Sequence, residues 1–118
     1  LVIDHMGRLP QPAGINHPAV RLMHTLLDRG RTWIKLSGPY LDSKAGEQGE
    51  FRDIDDVPTH WINTAPERLV WGSDWPHPTE TQKPDDAKLL DLIMRWTESE
   101  AVMKQILVSN PAALYGFD

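Results

Sequence analysis

Three short apolar runs, at residues 1–3, 32–36 and 69–71, each break into a polar segment that contains glycine. The breaks read Asp4-His5-Met6-Gly7, Ser37-Gly38-Pro39 and Gly72-Ser73-Asp74. Runs this short, built from Val, Ile, Leu and Trp, suit strands buried in a parallel sheet. Helical patterns fill the intervals, and that alternation implies βαβ units. Val2 and Trp33 lie 31 positions apart, Trp33 and Val70 37. An eight-unit barrel of about 250 residues allots roughly 30 to each βα unit. The spacing fits such a barrel, and part of a doubly wound open sheet equally well.

The helices are expected at 16–30, 55–63 and 84–96. Asn16 is placed to cap the first, with Pro18 in its first turn and Gly30 at its end. Val20, Met23 and Leu27 give it one apolar stripe. Pro58 falls in the first turn of the second, a shorter helix. Asp85 and Asp86 open the third, where carboxylates suit the helix dipole, and Leu89, Leu92, Ile93 and Trp96 form its buried face. Thr97 with Glu100 reads as a capping box for a further helix through Leu107. Asn110-Pro111 begins a last turn that ends at Gly116, and 42–53 reads as a polar loop. Trp33, Trp71 and Trp96 are expected in the core, Trp61 half-buried, and Trp75 as a pocket wall.

Composition removes several classes. A chain of 118 residues with 25% charged side chains is that of a globular domain. Its net charge of −5 argues against non-specific nucleic-acid binding, which needs a basic face. No apolar run approaches the roughly 18 residues of a membrane span, and no leader pattern is visible. With no cysteine, thiolate chemistry is excluded and a cytoplasmic home is favoured. The chain opens inside an apolar run without methionine, which suggests that further sequence precedes it.

Parallel α/β folds gather functional groups at the carboxyl ends of their strands. Here those ends offer His5, Ser37 and Asp74, with Arg8, Tyr40 and His77 just beyond. Asp74 leads, since a carboxylate at the end of a buried strand can take a proton from water; the competing role is the cap of a turn. His5 is weaker by itself, since a lone histidine after a strand is more often structural than a ligand. Its neighbour Asp4 would point to the opposite face. Arg8 could hold an anion, and His77 sits in a Pro-flanked loop of the kind that is usually solvated. His17, His24 and His60 fall near a helix start, mid-helix and on a surface helix, without zinc-site spacing. No phosphate loop and no nucleophile elbow is present.

Val2-Ile3-Asp4-His5-Met6-Gly7, Trp33-Ile34-Lys35-Leu36-Ser37-Gly38-Pro39-Tyr40 and Leu69-Val70-Trp71-Gly72-Ser73-Asp74-Trp75-Pro76-His77 together resemble the amidohydrolase-related family. The ending Asn110-Pro111-Ala112-Ala113-Leu114-Tyr115-Gly116-Phe117 resembles its C-terminus, so the likeness covers essentially residues 1–118. The nearest branch contains 2-pyrone-4,6-dicarboxylate lactonase and sugar-lactone hydrolases. The resemblance implies a (β/α)8 TIM barrel of which this chain is the C-terminal part, with strands six to eight. It implies that Asp74 activates the hydrolytic water and that His5 bonds the reacting carbonyl or a carboxylate beside it. Arg8, Ser37, Tyr40, Trp75 and His77 are then the substrate-binding candidates. The branch looks metal-independent, with zinc as the alternative. The strand-one His-x-His of the family has no counterpart in this chain. Leu41 stands where members often carry an arginine suited to a carboxylate.

The reading is a hydrolase of a lactone or related cyclic ester of an organic or sugar acid, its partner a small molecule. A lactone isomerase would use the same Asp. The rival reading is a non-catalytic remnant, or an interaction module that self-associates or docks onto a missing N-terminal half. For the 118 residues alone, little activity is expected.

Overall fold

A computed structural model describes residues 1–117 of the chain. The three apolar runs form the strands β1 (Val2–Ile3), β2 (Trp33–Leu36) and β3 (Leu69–Trp71). They pair in parallel in the order β1-β2-β3. Ile3, Ile34 and Leu69 lie level across the sheet, and Leu36 lies level with Trp71. Since side chains alternate along a strand, Ile34 and Leu36 share a face and are fully buried. Trp33 and Lys35 share the other face, which is half-exposed.

The helices follow the apolar stripes. α1 (Ala19–Asp28) buries Val20, Met23 and Leu27, and Gly30 ends it with a left-handed φ of 75°. Asn16 is not its cap: it sits in a preceding 3-10 turn (Gly14–Asn16), and His17 Nδ1 accepts from Ala19 N–H at 3.1 Å instead. α2 (Asp56–Thr64) buries Val57, Pro58, Trp61 and Ile62. It stops before Pro66, whose ring disfavours helical geometry at Ala65. α3 (Asp86–Trp96) is capped by Asp85, whose carboxylate accepts from Ala87 N–H at 2.9 Å. Leu89, Leu92, Ile93 and Trp96 form its buried face, as the spacing requires.

Thr97 and Glu100 do not make the expected capping box. Ser99 caps α4 (Glu100–Lys104) by accepting from Val102 N–H, while Thr97 Oγ1 accepts from Ser99 N–H. The helix then widens into a π turn (Gln105–Ser109) and continues as α5 (Asn110–Tyr115), ended by Gly116. At its head, Asn110 donates to the carbonyls of Pro66 and Leu69, both at 2.7 Å, and so ties the tail to β3.

One apolar cluster joins Ile34, Leu36 and Leu69 of the sheet to the buried faces of α1, α2 and α3. The tryptophans distribute differently from expectation. Trp61 is fully buried at its centre and Trp96 nearly so, whereas Trp33 and Trp71 are only half-buried. Each of those two sits at an end of its short strand, and Trp71 still packs against the core's edge. No helix among the described residues is long and apolar enough to cross a membrane.

Candidate active site

The three strand ends converge. β1 runs into a tight turn (His5–Gly7), β2 into Ser37 and a second turn (Pro39–Leu41), and β3 into Gly72-Ser73-Asp74. His5 Nδ1 lies 2.9 Å from Ser37 Oγ. His5 Nε2 faces Asp74 Oδ1 at 3.9 Å, and Tyr40 donates its hydroxyl to Asp74 Oδ2 at 2.5 Å. Ser37 is buried, while His5 and Asp74 keep about a quarter of their side chains open to solvent. One element per group thus supplies an imidazole, a carboxylate and the hydroxyls that orient them.

The backbone is held in uncommon shapes at the same place. His5, Met6, Arg8, Asp74 and His77 all have φ between 51° and 63°. Side-chain-bearing residues seldom adopt this left-handed region, and such positions cluster where a function is served. Gly38, at φ 59°, allows the turn to pass under the imidazole; a Cβ there would stand 2.8 Å from His5 Nδ1. When the hydroxyl of Ser37 donates to His5 Nδ1, the neutral ring carries its proton on Nε2, the nitrogen that faces Asp74. Burial, and next the bond to Asp74, push the Tyr40 hydroxyl far above the usual tyrosine range, so Tyr40 stays a donor.

The other nominated residues have distinct places. Arg8 pairs through Nε with the Asp42 carboxylate at 3.1 Å and is half-exposed. Trp75 is 74% exposed and packs no pocket wall. His77 is the reverse of the solvated histidine expected: it is 2% exposed. Its Nε2 faces two acceptors, Ser73 O at 3.1 Å and Asp86 Oδ1 at 2.8 Å, so that nitrogen carries the proton. His77 thereby ties the Asp74 loop to the head of α3, and its ring stands edge-on to Tyr40 at 5.7 Å.

Sequence reasoning passed over Lys35. Its ammonium pairs with Asp4 at 2.8 Å, on the face opposite to that of Leu36. The bond to Lys35 holds the Asp4 carboxyl below its usual range, and Asp4 in turn raises the Lys35 ammonium. Gly72 makes room for this stem, since a Cβ there would lie 3.2 Å from Lys35 Cδ. The signal lay in the register: Asp4 stands two places after Val2, as Lys35 does after Trp33, its strand partner.

Among the described residues no three His, Cys, Asp or Glu side chains are grouped to hold a metal ion. His5 and Asp74 could furnish two donors, fewer than the three protein ligands of a catalytic zinc site. The residues present do not by themselves fit zinc.

The amidohydrolase family model matches residues 1–117, so the chain belongs to that family, and its α/β architecture is part of the family's TIM barrel. A solved apo structure from Agrobacterium tumefaciens superposes with a TM-score of 0.85 at 33% identity, over 99% of this chain and 42% of that one. The particular relatives share a chemical theme in their names. A 4-sulfomuconolactone hydrolase from Rhizobium radiobacter is 37% identical over 98% of this chain and 39% of its own length. A D-galactarolactone isomerase from Agrobacterium fabrum is 34% identical over 97% and 39%. A 2-pyrone-4,6-dicarboxylate hydrolase from Comamonas testosteroni is 32% identical over 98% and 40%. The chain spans about two fifths of the length of these relatives.

Proposed function

We propose that this chain carries the Asp/His part of a site that hydrolyses a lactone, or a related cyclic ester, of an organic or sugar acid. The observation that carries the reading is the meeting of His5, Ser37, Tyr40 and Asp74 from three consecutive strand ends. Water attacks the lactone carbonyl while Asp74 takes its proton. His5, fixed by Ser37 with Nε2–H outward, donates to the developing oxyanion. Collapse of the tetrahedral intermediate breaks the ring C–O bond, and the proton held by Asp74 passes to the leaving alkoxide. Tyr40 holds the second carboxylate oxygen, so that Oδ1 is the oxygen turned toward the gap. Arg8 and Trp75 are open to solvent and free to meet a substrate, Arg8 through a carboxylate once it leaves Asp42, while the buried His77 stiffens the Asp74 loop. The chemistry needs no resident metal for these steps; zinc would have to draw its remaining ligands from outside the described residues. A cytoplasmic setting suits the cysteine-free composition.

The test uses the polypeptide as its own cell makes it, with its intact mass measured first. It is expected to release acid from one of a panel of lactones in a pH-stat. Asp74→Asn is expected to lose about 10²–10⁴-fold in turnover, the usual share of a positioned base. A variant that keeps most of its turnover overturns the assignment.

A second reading is favoured by the sheet itself. β1 and β3 each pair on one side only among the described residues, and open strand edges invite further pairing. On this reading the 118 residues alone act as an associating module with little activity, because oxyanion donors worth about 10²–10³-fold each lie elsewhere.

A further inference from the structure

Away from the strand ends, α1 and α2 are joined by a pair of imidazoles. His24 Nε2 and His60 Nε2 lie 2.9 Å apart, with the rings nearly perpendicular at 84°. Both rings pack against Trp61, at 5.3 and 4.9 Å between centroids. We propose that His24 and His60 form a proton-sensitive clasp between α1 and α2, closed by one shared proton and opened when both rings are charged.

The argument is one of stoichiometry. At 2.9 Å one Nε2 must donate and the other accept, so the gap holds a single proton. The pair can therefore be neutral or singly charged. Charging both rings would set two N–H groups and two like charges against each other, and the contact must break. Burial, and next the charge on His24, hold His60 below the ordinary histidine value, while Asp56 works the other way. Asp56 lies one turn before His60 on α2; Arg21 and Asp28 lie one turn either side of His24 on α1, and His17 lines the same open groove as Arg21 and His24. A folded-state value below 6.5 means that the seam is at full strength above that pH and weakens as pH falls beneath it. Two donors alone give no reason to invoke a metal.

Met23, beside His24, packs so closely under Gly7 that a Cβ there would come within 2.6 Å of it, and Gly7 closes the turn that holds His5.

Histidine ring resonances of the 118-residue chain, followed by NMR from pH 8 to 4.5, test the proposal. Expected are two coupled steps, the second proton harder to add than the first. The second step should shift α1 and α2 amides. In His60→Gln, which can still donate or accept but cannot charge, His24 should titrate once and the amide shifts should vanish; His24→Gln should give the mirror result. Two independent titrations at ordinary values in the parent chain would overturn the clasp. So would acid-induced shifts along the seam that survive both substitutions.

Discussion

Asp74 is held by what surrounds it more than by its place in the sequence. Its left-handed backbone, the Tyr40 hydroxyl and the facing His5 Nε2 are three separate constraints on one carboxylate. Removing the Tyr40 hydroxyl frees the Oδ2 side, so Tyr40→Phe should lower kcat at least about tenfold with little change in KM, the lower end for a hydrogen bond to a charged group. Steady-state kinetics on the natural polypeptide check it. Because Tyr40 is raised above the ordinary 10, its contribution is intact below that pH and is lost as pH climbs past it. An ultraviolet titration should find Tyr40 ionising only as the fold gives way. Gly38→Ala should cost about 1–3 kcal/mol, the range for side-chain strain in the left-handed region, with the approach to His5 Nδ1 adding to it. Urea unfolding measures this loss, and an unchanged midpoint would show that the turn relaxes freely.

At the scale of elements, the turns after the strands do more positioning than the strands. β1 has two residues and β3 three, yet each ends in a turn that aims a functional side chain. His77, two per cent exposed, fastens the β3 turn to the first turn of α3 through Asp86. Asn110 does the same at the other end of β3, where its amide satisfies two backbone carbonyls. Asn110→Ala leaves both carbonyls without that donor and should cost about 1–3 kcal/mol, the penalty for unsatisfied buried groups. The loss belongs in the thermal midpoint. Hydrogen exchange should quicken first in β3 and α5, and uniform quickening across the chain would argue against a local tie. Apolar stripes made α1 and α3 legible in advance. The caps were less so, because Asn16 and Ser99 differ from alternatives only in how the chain enters each helix, and entry angle is set by packing.

The described residues form a three-stranded parallel sheet with its helices gathered into one core. Several large apolar side chains stay outside that core, among them Met94 at 57%, Val108 at 56% and Phe117 at 65% exposed. Exposed apolar surface and open strand edges each favour association. Sedimentation of the 118-residue chain over a hundredfold range of concentration is expected to show self-association. A clean monomer throughout would count against the associating reading and leave the enzymatic one to stand by itself.

Local pattern alone determined the strands, the helical stripes and the chemical types at the strand ends, because periodicity and breaks are properties of neighbours in the chain. His5, Ser37, Tyr40 and Asp74 could be nominated for that reason, and their motifs were enough to suggest the family. Only the tertiary structure decided which of them touch. That Tyr40 serves Asp74, that His77 is buried, that Lys35 answers Asp4 and that His24 meets His60 all depend on residues 9 to 36 positions apart. Such contacts follow from the register of β1, β2 and β3 and from how α1 and α2 seat on the sheet, and no window of sequence contains both partners' environments.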